Sequence, residues 1–332
     1  MTAPIIVLAL VILAALAYLT SLKGGYEVRR SLVMDIPADR AYDEVRDYRN
    51  WPHWSPWLIH EPDAKLTFSD EPDKAAGWYE WNGKYVGAGK ITHEQLDAAK
   101  RIVDRIEFVR PFKSVSTVGF EFRETAGGTE VTWTMAGTMP FFLRFMVPMM
   151  TGMIARDYDL GLALLRGRLD PSAERPIIRF NGFAERNAET VLTRSFKGNL
   201  EAVKQVMNSG FPQLVEHVAQ TGGQPLGAPF TAYYKSNPRT LYFEGDMAIP
   251  VGTDTPDGEF TRKTLGDGKY YRVHLQGSYE FLGLAWNAAF SHLRMYKIKV
   301  DRSRPTLEVY ENDPRSVDNS NEIKTSLYIP IR

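Results

Sequence analysis

The sequence predicts an α+β chain in three parts: an N-terminal transmembrane helix, a curved antiparallel sheet closed by one long C-terminal helix, and a duplicated βαββ domain. Three observations predict this. Residues 1–22 carry no charged side chain. From about 65 to 138, alternating segments are separated by short turn signals, and a long helical pattern follows. Residues 196–214 then recur at 275–293. The expected boundaries are 1–24 for the anchor, 25–170 for the first domain, 171–188 for a linker and 189–332 for the second domain.

The opening run, MTAPIIVLALVILAALAYLTSL, is long enough to cross a bilayer, which takes about 20 apolar residues. A cleaved signal peptide has a positively charged start and a shorter apolar core. This start has no Lys or Arg, although Ala15-Leu16-Ala17 resembles a cleavage site. The expectation is an uncleaved single-pass anchor. Lys23, Arg29 and Arg30 all follow the span, so the soluble bulk is expected on the cytoplasmic side.

Composition narrows the function. Of 332 residues, 40 are Lys or Arg and 40 are Asp or Glu, so the net charge is zero. Nucleic-acid binders use a broad basic field, and nucleic acid is not an expected partner. There are no cysteines, which removes disulfides, thiol nucleophiles and Cys-ligated metals. The six histidines are scattered, and no metal or other cofactor is expected. GKYVGAGK (83–90) lacks the P-loop spacing and its Ser or Thr, and there is no G-x-S-x-G.

After Gly24-Gly25, YEVRRSLVMDIP reads as a strand and ADRAYDEVRDYRNW as a helix. RNWPHWSPW (49–57) then places Trp51, Trp54 and Trp57 in seven positions beside two prolines. The prolines disfavour a regular helix, so an aromatic corner is expected, with at least one tryptophan at a pocket mouth. Strands follow in KLTFSD, GWYEWNG, YVGAGKITHEQLD, KRIVDRIEFVRP, SVSTVGFEFRET and GTEVTWTMAGT. The helical pattern from Phe141 to Leu169 contains Pro148, which should kink it or end a first segment. Its methionines, Met149 and Met153 among them, suit either plain core or a pocket for varied apolar ligands. Asp157 and Asp159 read as a solvated face.

These segments resemble the START/Bet v1-like superfamily, also called polyketide cyclase-like or SRPBCC, over roughly residues 26–169. The resemblance rests on IPADRAYDEVRDYRNWPHWSPW, GWYEWNGKYVGAGKI, GTEVTWTMAGTMPF and RDYDLGLALLRGRL. It implies a helix-grip fold around an apolar cavity that binds hydrophobic small molecules, lipids included. Only some members of the family are enzymes. Trp54, Trp81, Met149 and Met153 are the candidate lining residues in this domain.

The second half repeats itself. FKGNLEAVKQVMNSGFPQL (196–214) aligns with LQGSYEFLGLAWNAAFSHL (275–293) at a constant offset of 79. PFTAYYKSNP (229–238) aligns with PTLEVYENDP (305–314), pairing Tyr234 with Tyr310, Pro238 with Pro314 and Ala232 with Glu308. IPV (249–251) matches IPI (329–331). Two βαββ units should meet at a groove, a common place for a small ligand. Glu308 and Tyr310 are two apart on a strand and so share a face, with Trp286 expected near them. Glu311 should face the other way, toward solvent. A carboxylate on that inner face needs a partner, a raised pKa or a cationic ligand. The alternative is a rim glutamate or one paired with an arginine.

This half resembles the GyrI-like family over about 186–332, through GKYYRVHLQGSYEFLGLAW and LEVYENDP…NEIKTSLYIPI. The resemblance implies an effector-binding domain for amphipathic, often cationic, small molecules, with its pocket glutamate at Glu308. Unlike regulators of that family, no helix-turn-helix precedes the domain, so DNA binding is not supported. The candidate ligand-binding set is Glu308, Tyr310, Trp286, Tyr234 and Tyr271. The expected function is a membrane-anchored protein that senses or sequesters such molecules. The alternative is a hydrolase or cyclase-like enzyme with Glu308 as general base, oriented by Tyr310 or Tyr271.

Overall fold

The computed structural model describes residues 2–237 and 240–332. It divides into two units, Met1–Arg175 and Pro176–Arg332. The aligned Pro238 lies outside the described residues.

The first unit opens with α1 (Thr2–Ser21), whose apolar stretch Pro4–Ser21 has none of its residues buried. After it come β1 (Gly25–Met34), α2 (Ala38–Arg46), a 3-10 turn (Tyr48–His53) and six further strands. These are β2 (Lys65–Phe68), β3 (Trp78–Asn82), β4 (Ala88–Asp97), β5 (Arg101–Arg110), β6 (Ser114–Thr125) and β7 (Gly128–Thr138). The sheet runs β1-β7-β6-β5-β4-β3-β2, antiparallel throughout. A meander gives this order because consecutive strands joined by tight turns pair with each other. Only β1 crosses over, to pair with β7. Tyr85 and Val86, expected in a strand, form the β3–β4 turn instead. The buried Glu61 carboxylate there accepts the backbone N–H groups of Lys84, Tyr85 and Val86 at 2.7–2.8 Å.

The long helix divides at the predicted proline. Phe141–Met146 is a 3-10 segment, and α3 (Val147–Leu169) begins with Pro148 in its first turn. There a missing N–H costs nothing, because the first helical N–H groups have no intrahelical acceptor. The tryptophan corner is packed. Trp51 and Trp54 are buried, and Trp54 stacks edge-on against Trp133 and Phe120. Trp133 in turn lies flat on Tyr158 of α3, with ring centroids 3.9 Å apart. Such ring pairs each add about 0.5–1.5 kcal/mol beyond their area. Asp157 is not simply solvated, since it accepts the Trp57 indole N–H at 3.1 Å. Asp159 pairs with Arg30 at 3.0 Å.

The second unit contains β8 (Ile177–Arg186), β9 (Glu189–Asn199), α4 (Leu200–Gln220), β10 (Phe230–Asn237), β11 (Tyr242–Pro250), β12 (Thr261–Leu265), β13 (Gly268–Gln276), α5 (Leu282–Met295), β14 (Thr306–Tyr310) and β15 (Lys324–Pro330). The sheet order is β12-β9-β11-β10-β14-β15-β13-β8. Much of the expected linker is therefore an edge strand, because β8 pairs with β13 along its length. The order reads symmetrically from its centre: β10 faces β14, then β11 and β15, then β9 and β13. Each half is strand, helix, strand, strand, as the repeat implies. The strand-to-helix corners match too. Gly198 (φ 152°) and Gly277 (φ 134°) both lie in a region that side chains disfavour. The residues after them, Asn199 and Ser278, accept helix N–H groups from Ala202 and Glu280.

One detail of the repeat changes. β10 carries a bulge, where Tyr233 pairs with Gly245 but Lys235 with Glu244, leaving Tyr234 as the extra residue. Before the bulge, Thr231 lies directly opposite Glu308. Phe230 pairs with Ala248 as Leu307 pairs with Tyr328, and 249–251 match 329–331, so the structural counterparts are Thr231 with Glu308 and Tyr233 with Tyr310. The pairs read from the sequence, Ala232 with Glu308 and Tyr234 with Tyr310, are one residue out of step. A one-residue slip moves a strand's side chains to the other face.

Candidate functional site

Glu308 sits on β14 with its neighbours Leu307 and Val309 turned to the opposite face. Its own face is the one covered by helices: Met247, in the row of Thr231 and Glu308, packs under Gly210 of α4. Only 3% of Glu308 is exposed. Three neutral groups donate to its carboxylate. The Trp286 indole N–H of α5 donates to Oε2 at 2.7 Å, and the Tyr310 hydroxyl to Oε1 at 2.8 Å. The Tyr233 hydroxyl is at the limit of a bond, 3.5 Å from Oε1. No cationic side chain among the described residues forms an ion pair with it.

The electrostatics follow from that list. Burial raises the Glu308 pKa. The bonds from Trp286, Tyr310 and Tyr233 pull it down, but the net direction is up. The same burial, with the nearby carboxylate, raises the Tyr233 and Tyr310 hydroxyls well above their ordinary value.

Rings from both helices enclose the carboxylate. Phe211 of α4 meets Tyr310 edge-on at 5.4 Å, and Tyr279 meets it at 5.6 Å. Trp286 lies near Tyr233 and stacks with Phe290, which is 39% exposed. The site thus has an acid at its floor, aromatic walls and a border that reaches the surface. With the Tyr310 proton given to Glu308, the Thr231 hydroxyl donates to the Tyr310 oxygen at 2.8 Å and completes the floor.

The structure brings together Glu308, Tyr310 and Trp286 from the sequence-derived set. Tyr234 belongs elsewhere: as the bulged residue, it donates at 2.7 Å to Asp246 on the other face of the sheet. Tyr271 is on β13, bonded to the His292 ring at 2.8 Å and packed edge-on against Phe183. Nor is Glu311 free in solvent, because Arg272 and Ser326 both donate to it. Sequence reasoning missed Tyr233, Thr231, Phe211 and Tyr279. The signal for Tyr233 was present as the paired tyrosines Tyr233-Tyr234, but choosing between them required the bulge.

In the first unit the four candidates do not form one lining. Trp54 is sealed in the ring cluster, and Trp81 packs against Tyr79 and Phe108. Met149 is 54% exposed because it lies on the first turn of α3, beyond the sheet's packed centre. Met153, one turn on, is half-buried. A fully buried pair lies beside the tryptophan corner: His93 Nδ1 is 2.6 Å from Asp104 Oδ1, and Tyr48 stacks on the His93 ring. His93 Nε2 meets the Arg46 carbonyl at 2.8 Å, so the pair ties the end of α2 to β4 and β5. Both ring nitrogens are engaged, which leaves the imidazole no free position for chemistry.

Comparison with known proteins finds two families, one after the other along the chain. Residues 26–170 match the family described as polyketide cyclase / dehydrase and lipid transport. Residues 190–332 match the GyrI-like small molecule binding domain. DNA gyrase inhibitor 1 of Dickeya dadantii (strain 3937) is 31% identical over 117 residues, covering 33% of this chain and 75% of that protein. Among solved structures, a protein of Chromobacterium violaceum is 12% identical, covering 44% of this chain and 99% of its own, with a TM-score of 0.34. SAV2435 bound to tetraphenylphosphonium is 16% identical, covering 45% and 92%, with a TM-score of 0.35.

Proposed function

The chain belongs to the GyrI-like small-molecule binding family, with a polyketide cyclase, dehydrase and lipid transport domain ahead of it, and from that premise we propose that it is a membrane-anchored binding protein for hydrophobic or amphipathic cations. One observation carries the reading: a buried carboxylate held by neutral donors and walled by aromatic rings. Ionising Glu308 in that setting costs free energy, since burial penalises the charged form. A cation entering between α4 and α5 would remove that cost. Ring faces attract cations as well, and the attraction grows when water is excluded. A large organic cation with spread charge is itself easily desolvated, so it suits the site better than a metal ion.

The anchor is α1, whose apolar length suffices to span a bilayer and in which no residue of Pro4–Ser21 is buried in the fold. It would keep the site beside a bilayer, where amphipathic compounds concentrate. Lys23, Arg29 and Arg30 favour a cytoplasmic bulk.

The test is calorimetric titration of the detergent-solubilised full chain with tetraphenylphosphonium and with an uncharged aryl compound of similar size. The native chain should prefer the cation, and Glu308→Gln should lose at least tenfold in cation affinity while keeping its affinity for the neutral compound. Equal cation binding by the two proteins would overturn the reading. A second reading makes Glu308 a general base for hydrolysis, favoured by its raised pKa and the adjacent tyrosine hydroxyls. It requires turnover on a panel of activated esters that disappears in the same variant.

A further inference from the structure

The two ends of the first unit's sheet differ in chemistry. Register places one end along Gly25 with Thr138, Gly137 with Ser116, Ser114 with Phe108, and Arg110 with Ala88. This row spans β1, β7, β6, β5 and β4, so at the usual strand spacing it is roughly 19 Å wide. Beyond it project the β3–β4 and β5–β6 turns and the 3-10 segment that leads into α3. Six large apolar side chains there are substantially exposed: Val109 (53%), Phe112 (41%), Val115 (45%), Phe142 (65%), Phe145 (55%) and Met149 (54%).

The charges at this end are mostly of one sign; the exceptions are Asp63, two residues before β2, and Glu107, which lies opposite Val115 and pairs with Arg105 at 3.2 Å. Segments 20–26, 82–93, 108–120 and 137–156 contain no Asp or Glu, but they include Lys23, Lys84, Arg110 and Lys113. The carboxylate of Glu61 does reach the β3–β4 turn, but it is buried and taken up by three backbone N–H groups. The opposite end carries Asp35, Asp97, Glu124 and Glu130 at its turns.

The apolar α1 leaves the sheet at the cationic end. Only Leu22–Gly24 separate it from β1, a reach of at most about 11 Å. That link is fastened. Met139 N donates to the Gly24 carbonyl at 2.9 Å, and Arg144 Nη1 donates to the Leu22 carbonyl at 3.3 Å. A bilayer that holds α1 therefore meets this end of the sheet first.

We propose that this end is an interfacial surface that rests on an anionic phospholipid bilayer. The exposed Phe, Val and Met side chains sink past the headgroups, while Lys84, Arg110 and Lys113 meet phosphates. Exposed apolar side chains bordered mainly by cations are the composition that interfacial binding selects. An exposed apolar patch of this kind on a water-facing surface invites association. The proposal rests on α1 as an anchor, and its test separates the two ideas.

The chain has no cysteine, so single labelled positions are unambiguous. Phe112→Cys, Phe142→Cys, Ile12→Cys and Ala126→Cys, each carrying an environment-sensitive fluorophore, are placed in the full chain. The proteins are reconstituted in vesicles of phosphatidylcholine and phosphatidylglycerol with shallow or deep lipid-borne quenchers. Labels at 112 and 142 should be quenched by the shallow quencher at least threefold more than the label at 126, and the label at 12 by the deep one. Replacing Lys84, Arg110 and Lys113 by Glu should at least halve quenching at 112 and 142. If 12 is deep while 112 and 142 behave like 126, the surface proposal falls and the anchor stands. If 12 is not quenched, the anchor reading falls. Quenching at 112 and 142 on vesicle-bound protein would then still support the surface, and its absence would sink it. Labels at 112 and 142 that are shielded from aqueous iodide yet untouched by lipid quenchers would mean a protein covers this end, which also overturns the proposal.

Discussion

Two carboxylates are buried in the second sheet, on opposite faces, and their surroundings differ by one cation. Asp246 on β11 accepts from Ser195 at 2.7 Å and Tyr234 at 2.7 Å, and it also pairs with Lys263 Nζ at 2.5 Å. Glu308 accepts from an indole and tyrosine hydroxyls, with no lysine or arginine among the described residues paired to it. Burial pushes both pKa values up. At Asp246 the bonds from Lys263, Ser195 and Tyr234 outweigh burial and the net direction is down. At Glu308 burial wins. The sheet therefore shows what a finished buried acid looks like beside one that lacks its positive partner. His292 on α5 is a third case: burial lowers its pKa to about 4, and the neutral ring is hydrogen-bonded to the Tyr271 hydroxyl at 2.8 Å.

Lys263→Met should leave Asp246 in the condition of Glu308 and destabilise the protein by about 2–3 kcal/mol in urea unfolding. That is somewhat below a fully buried pair because Lys263 is 32% exposed. The native Asp246, with its lowered pKa, contributes stability above the unfolded carboxylate value that is lost as pH falls through the folded one. The variant should lack that acid dependence.

His292 tests the neutral-by-burial case. Its folded pKa of about 4 lies below the ordinary 6.5, so the unfolded chain binds the extra proton first. Stability should be full above pH 6.5 and fall as pH drops toward 4, by on the order of 2 kcal/mol. His292→Gln should flatten that segment of the stability profile.

Glu308→Gln should weaken lipophilic-cation binding by at least tenfold, about 1.4 kcal/mol. In the native chain, cation affinity should climb as pH rises from the ordinary carboxylate value through the raised Glu308 value, then level off. Titrations across that range that stay flat would remove the carboxylate from the binding reaction. The smallest effect belongs to Trp286→Phe. It keeps a ring but deletes the N–H that donates to Oε2, so the binding profile should move to higher pH with an affinity loss of about two- to threefold.

Much of the architecture was legible because it rests on local signals. Uncharged residues 1–22, strands broken by turn residues, Pro148 and the repeated helix entries at Asn199 and Ser278 all act within a few positions. So does the pairing of Glu308 with Tyr310, two apart on one strand. The expected helix-grip lining was harder. Trp54 and Met149 are both large and apolar, but one is sealed among rings and the other is 54% exposed. Residue type does not distinguish those fates, since they depend on where α3 rises past the sheet.

The sequence by itself determined the two-domain order, the duplication and the acid at position 308, because hydrophobic period, turn chemistry and internal repetition are properties of the chain. Tertiary structure alone decided which tyrosine joins that acid. The aligned repeat paired Tyr234 with Tyr310, and a single extra residue in β10 turned Tyr234 toward Asp246 and left Tyr233 beside Glu308. The physical reason is the two-residue period of a strand. A bulge is visible only in the pairing with a neighbour, yet it changes the face of every side chain beyond it.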